Sequence, residues 1–204
     1  MTAPVPTPVS GVVEGLVDRA ILHRLMSHAG VSPATIYVAN GKPQIRQRLG
    51  GYNNAAQFAP WLVLVDLNAE AECAPALTRS WLPSPAPRMR LRVAVRKAEA
   101  WLLADRERLS RFLGVSADLI TRKPEDLANP KREIVDLASR SRRRAIRQDM
   151  VPRQGSGRAV GPAYSSRLIE FVSDAKAGWR PEFASRSADS LRRCLDSLRT
   201  FAVS

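Results

Sequence analysis

The sequence predicts an α/β protein: an open, mostly parallel sheet of about four strands flanked by helices, followed by a mainly helical C-terminal extension. Three observations carry that expectation. Short β-branched or apolar runs alternate with segments of helical periodicity through the first half of the chain. The run WLVLV at 61–65 is continuously apolar, as in a central strand covered on both faces. Beyond Gly114 only helical patterns and loops follow. The expected organisation is a lead-in over 1–8, an α/β core over 9–113 and a basic helical region over 114–204 packed on that core.

Taken in order, Pro4, Pro6 and Pro8 make the lead-in extended. The first strand passes through VSGVV and ends at Glu14-Gly15. A glycine there lets the backbone turn, and a carboxylate at the carboxyl end of a buried strand lies where open α/β sheets collect ligand groups. Leu16, Val17, Ala20, Ile21 and Leu25 repeat at helical spacing, predicting a helix over 15–28 that Gly30 ends. His23 and His28 lack the one-turn spacing of zinc helices and read as surface or capping residues. TIYVA at 35–39 is the second strand, closed by Asn40-Gly41. Lys42, just beyond it, either meets phosphate at the same rim as Glu14 or is an exposed loop lysine.

Residues 45–58 are partly helical, with Gly50-Gly51 as an interruption, and strand three then ends on a second acid, Asp66. A short helix at 77–82 and the spacer PSPAP lead to strand four at 90–95. There Leu91, Val93 and Val95 point one way while Arg90, Arg92 and Arg96 point the other, a pattern of a sheet edge or a polar cleft. A helical pattern runs from KAEAWLLAD to a stop at Gly114. After a connector at 116–130 come one basic helix at 131–150, a glycine- and proline-punctuated loop at 151–163, and closing helices at 164–176 and 187–201.

A formal net charge of +13 favours a polyanionic partner: nucleic acid, an acidic protein or a membrane surface. Arginine suits bidentate phosphate recognition and supplies nearly all of the positive charge. Genomic base composition explains a choice of arginine over lysine equally well, but not the net charge. Cys73 and Cys194 form no Cys-x-x-Cys pair, which excludes a zinc ribbon or disulfide framework and fits a reducing compartment. The N-terminus has no signal-peptide pattern, and no run reaches the roughly 20 apolar residues of a membrane span. A cytoplasmic protein without a membrane partner is expected.

The charge concentrates over 131–158, with nine basic against three acidic residues. Arg140, Arg144 and Arg147 would share one helical face, flanked by Arg142 and Arg143; Lys131, Arg153 and Arg158 complete a candidate nucleic-acid-binding set. Such a face tracks phosphates without reading sequence. The other reading is a solvated helix. Gly155, Gly157 and Gly161 offer backbone donors to phosphate, without a Walker pattern. Aromatic residues are scarce among these arginines, so base stacking finds no support there.

Metal-dependent phosphoryl transfer needs hard oxygen ligands for Mg or Mn. Glu14 and Asp66 end strands that neighbour each other in a sheet of order 2-1-3, at the switch-point crevice. Asp18, four residues after Glu14, is expected one helical turn above it on the same face.

Glu-Gly after strand one, an Asp-x-Asp-like DLN after strand three and the β/α alternation resemble the Toprim domain of topoisomerases, primases and overcoming-lysogenization-defect nucleases. The Glu14-to-Asp18 spacing is similar to the last group. VVEGLVD, WLVLVDLN, VAVRKAEAWLLADRE and GPAY together resemble an uncharacterised bacterial Toprim-like family associated with defence systems and ATPase partners, over about 9–179; the Toprim motif proper spans about 14–95. The resemblance implies a metal-dependent nuclease acting on DNA or RNA, with Glu14 as general base or acid and metal ligand, Asp66 as metal ligand, and a separate ATPase subunit as partner. Where that family has its second acid, this chain has Asn68, whose amide oxygen can coordinate but brings no charge. Glu99 and Asp105 are either compensating acids or capping and salt-bridged carboxylates. The alternative function is a catalytically inactive Toprim-like module that binds nucleic acid or a partner. A phosphohydrolase for small anions ranks lower, because +13 exceeds what such a substrate requires.

Overall fold

The computed structural model describes residues 6–202. Strand and helix alternate first: β1 (Pro8–Val13), α1 (Leu16–His28), β2 (Ser32–Val38), α2 (Lys42–Ala55), β3 (Trp61–Asp66), α3 (Ala74–Trp81) and β4 (Met89–Ala94). Helices follow: α4 (Ala98–Ala104), α5 (Arg106–Leu113), α6 (Pro130–Ser139), α7 (Arg144–Met150), α8 (Tyr164–Ser173), α9 (Pro181–Ala184) and α10 (Asp189–Ala202). The four strands form one all-parallel sheet in the order β2-β1-β3-β4. This is the expected α/β architecture with an open sheet and a helical C-terminal part. The chain leaves β1 outward to one side and β3 outward to the other, so the order reverses between these two inner strands.

By packing, the chain divides into two units: residues up to Val95 together with those from Arg192, and Arg96–Leu191. Helix α4 is buried along its whole length and packs on α6, α9 and the 3-10 turn at Pro124–Asp126, which joins it to the later helices.

In the first unit, Leu62, Val63, Leu64 and Val65 of β3 are buried on both faces of the sheet. Ile21, Leu22, Leu25 and Met26 bury one face of α1, each contributing roughly 1.5–3 kcal/mol through the water it leaves. Ile45 and Leu49 anchor α2 in the core formed with Val63 and Val65. The helix runs through Gly50 and Gly51 without interruption, because its buried residues lie N-terminal to both glycines, which are themselves exposed. The arginine face of β4 is covered by the end of α10. Arg92 Nε donates to Ser197 Oγ at 2.8 Å, and the Arg90 guanidinium lies 4.9 Å from the Phe201 ring centroid. Desolvation there holds the Arg92 guanidinium below its ordinary pKa.

In the second unit, Trp101 and Trp179 are fully buried; Trp179 Nε1 donates to the Trp101 carbonyl at 3.0 Å and Trp101 Nε1 to Ser190 Oγ at 2.7 Å. The basic segment expected as one helix is two, α6 and α7. Ser141 makes the break: its hydroxyl donates to the Leu113 carbonyl and accepts the Arg143 N–H at 2.9 Å, a local bond that competes with helix continuation. Arg140 therefore caps α6 while Arg144 opens α7, and the single face expected for Arg140, Arg144 and Arg147 is not formed. Gly114 stops α5 in the left-handed conformation, φ 70°, as the pattern predicts. Among the described residues no helix is long and apolar enough to cross a membrane.

Candidate functional site

Parallel pairing of Ser10 with Trp61, Gly11 with Leu62 and Val12 with Val63 brings the carboxyl ends of β1 and β3 level. Glu14 and Asp66 sit at those ends, half-buried, and Glu14 Oε1 accepts the backbone N–H of Asp66 at 2.8 Å. Gly15 is extended, φ −148°, a conformation open to any residue, so it does not supply the turn expected of it; it is the N-cap of α1. Glu14 consequently lies outside the helix and is not one helical turn below Asp18. Asp18 belongs to the first turn of α1, where a carboxylate complements the helix N-terminus, and its Oδ2 lies at ordinary van der Waals distance from where a Cβ on Gly15 would be.

Asn68 lies just past β3 at φ 51°, the one non-glycine residue with positive φ among those described, and its Oδ1 is hidden from solvent. Asparagine tolerates that left-handed backbone better than most residues, which gives its place a conformational reason. Lys42 is at the rim, and it is pinned: Nζ donates to the Leu67 carbonyl at 3.3 Å and to Glu70 Oε2 at 3.0 Å, with 11% of the side chain exposed. None of Glu14, Asp18, Asp66 and Asn68 is without a partner.

Glu99 and Asp105 are engaged inside the second unit. Glu99 meets Lys131 Nζ at 3.4 Å and accepts from Tyr164 Oη at 3.5 Å. Asp105 caps α5 through the Arg108 N–H and accepts Arg180 N and Nε at 3.0 Å each and Nη2 at 2.7 Å. The hydrogen bond to Asp105 is the main reason the Arg180 guanidinium lies above its ordinary pKa.

Among the described residues no group of three or more His, Cys, Asp or Glu side chains is placed to hold a metal ion, and Glu14, Asp18 and Asp66 do not gather into one. The donors at the strand ends are all oxygens, however, and Mg keeps several waters while taking one or two carboxylates plus substrate phosphate rather than a closed protein cage. An ion of that kind would draw on the carboxylates of Glu14 and Asp66, with Asn68 the nearest amide to Asp66 in sequence.

Of the basic set, Arg143 Nη1 donates to the Phe112 carbonyl at 3.3 Å, tying the start of α7 to α5, and Arg147 Nη1 donates to the Ser141 carbonyl, within the break between α6 and α7. Arg140, Arg142, Arg144, Arg153 and Arg158 are exposed. Arg142 and Arg143 line a recess of about 490 Å3 with Arg111, which the sequence reading left out because its helical spacing marked only an end of α5. Gly161 offers no donor to phosphate: its N–H is taken by the Met150 carbonyl at 2.9 Å, and a Cβ there would collide with the backbone of Asp149 and Met150. A second recess, between α2, the end of α3 and the segment leading into α3, contains Arg46, Glu70 and Trp81, residues that no local spacing singles out.

Comparison of the chain with protein-family models, curated proteins and solved structures returns no match.

Proposed function

We propose that the protein is a Toprim-like, Mg- or Mn-dependent nuclease, with its metal held at the Glu14–Asp66 rim and its exposed arginines on the backbone of DNA or RNA. The observation that supports this most is the Glu14 Oε1 to Asp66 N–H bond, which sets one carboxylate against the end of the neighbouring strand at the crevice where the strand order reverses. In this reading Glu14 and Asp66 hold the ion, Asn68 adds an uncharged oxygen, and Glu14 handles the proton of the attacking water. The ion, when bound, supplies charge stabilisation at the attacked phosphate. The arginines of the second unit position the backbone without reading bases.

The test is cleavage of labelled DNA and RNA with Mg or Mn by the wild type, Glu14→Gln and Asp66→Asn. Loss of cleavage in both variants is expected; undiminished cleavage in either removes its residue from the site. The second reading is an inactive module, favoured by the uncharged Asn68 and by the absence of a three-acid group among the described residues. It predicts polyanion binding that persists in EDTA with no turnover.

A further inference from the structure

We infer that the recess lined by Lys42, Pro43, Arg46, Gln47, Glu70 and Trp81 takes an unpaired nucleobase of a single-stranded nucleic acid, stacked on the Trp81 indole. The inference rests on the reading that Glu14 and Asp66 face a nucleic-acid backbone, and it names what is bound beside them. The recess measures about 600 Å3, within the roughly 300–1,000 Å3 of ligand pockets. Its indole is fixed in place. Trp81 Nε1 donates to Glu70 Oε1 at 3.1 Å, while Glu70 Oε2 accepts from Lys42 Nζ at 3.0 Å. Lys42 also reaches the Leu67 carbonyl at 3.3 Å, one residue after Asp66, so this chain of contacts ties the recess to the end of β3.

The charges also suit a nucleotide. Glu70 is answered by Lys42, which leaves Arg46 to make the recess positive. The exposed Arg46 guanidinium lies 5.7 Å from the indole centroid. A base entering on that face swings Arg46 outward and is held between a π surface and a cation, a sequence-tolerant arrangement because every base has a π face. Gln47 carries an amide able to meet a base edge as donor or acceptor. Bases within a duplex are already stacked and must be extruded to enter, so single strands, flaps and frayed ends are favoured. Stacking was not expected among the arginines of 131–158; the aromatic and the cation meet instead from two separate helices of the first unit.

The experiment is fluorescence-anisotropy binding in EDTA by the full chain, using DNA and RNA strands of about twelve nucleotides, their abasic counterparts and a blunt duplex. Intact strands should bind roughly five- to hundredfold more tightly than abasic ones, the span for one stacked base. Trp81→Ala should erase that ratio and Trp81→Phe keep most of it, with abasic and duplex binding unchanged. A ratio seen with DNA, RNA or both supports the inference and identifies the strand that supplies the base. Equal binding of intact and abasic strands by the wild type overturns it, as does a ratio untouched by Trp81→Ala. If Trp81→Ala fails to fold, the wild-type ratio and Trp81→Phe decide. Because no metal is present, a missing ratio leaves Glu14- and Asp66-dependent cleavage standing, and absent cleavage leaves the ratio interpretable.

Discussion

The Glu14 carboxylate and the Asp66 backbone are joined: Oε1 accepts the Asp66 N–H at 2.8 Å, across the boundary between β1 and β3. This bond separates the structural role of Glu14 from its proposed chemistry. Glutamine keeps an acceptor at that position, whereas alanine strands a partly buried donor. Glu14→Ala should therefore be less stable than Glu14→Gln by about 1–3 kcal/mol, read from urea unfolding. Equal stability of the two variants would show that the bond does not hold the strand ends.

Asp105 and Arg180 form a bidentate ion pair in the second unit, with the Asp105 side chain 1% and the Arg180 side chain 17% exposed. Removing Arg180 leaves the Asp105 charge desolvated, whereas Arg180 without Asp105 keeps Glu107 Oε2 at 2.8 Å. Arg180→Ala should cost about 3–5 kcal/mol in urea unfolding, Asp105→Ala should also destabilise, and the double variant should cost clearly less than the two together. Additive losses would mean that the pair is not coupled.

The sheet was legible because parallel strands buried on both faces leave continuous apolar runs, and WLVLVD at β3 is one. The strand-end acids were legible for the same reason, since each follows such a run directly. Other features depend on contacts far apart in sequence. The break between α6 and α7 comes from Ser141 reaching Leu113, and nothing local to the arginines announces it. The burial of α4 on every face follows from its packing on α6 and α9, contacts that its own sequence does not announce. Arg46 and Trp81 meet only once α2 and α3 are placed on the sheet.

Gly50 and Gly51 lie inside α2, exposed, with nothing within 4 Å of where a Cβ would stand. Helical backbone suits alanine there, and glycine gives up more conformational freedom on folding. Gly50→Ala and Gly51→Ala should each raise stability by roughly 0.5–1 kcal/mol. Destabilisation by either, measured by denaturant midpoint, would mean that the helix is not continuous at that point.

Two buried acids give an alkaline limit to stability. Burial pushes the Cys194 thiol from 9.0 up to about 12, partly offset by the nearby Arg92 charge. Burial, and then the charge and hydrogen bond of Glu99, push the Tyr164 phenol well above 10.0. The folded chain thus keeps protons that the unfolded chain has released, so stability falls as pH rises. For Cys194 the contribution is fully present below pH 9.0 and is lost towards about 12. Between pH 9.0 and about 11, wild type should lose stability faster than Cys194→Ala by about 1.4 kcal/mol per pH unit. Parallel slopes in urea unfolding would show that the thiol ionises freely in the fold.

The arginines of the second unit divide by what they already hold. All four of Arg142, Arg143, Arg144 and Arg147 are exposed, but Arg143 and Arg147 donate to the carbonyls of Phe112 in α5 and Ser141 in the break between α6 and α7, which leaves Arg142 and Arg144 as the two to test for phosphate contact. Affinity for duplex DNA should fall with salt, and each phosphate contact removed should flatten the slope of log K against log salt by about 0.9. Arg142→Ala combined with Arg144→Ala should therefore reduce the slope by nearly two contacts' worth and leave the unfolding midpoint unchanged. Arg147→Ala should instead cost stability, about 1 kcal/mol for the lost charged hydrogen bond, with a smaller effect on the slope. Anisotropy titrations across a salt series and urea unfolding of the same variants separate the two roles. An unchanged slope in the Arg142 and Arg144 double variant would make this segment a solvated face, and the net charge of +13 would then need its polyanion elsewhere on the chain.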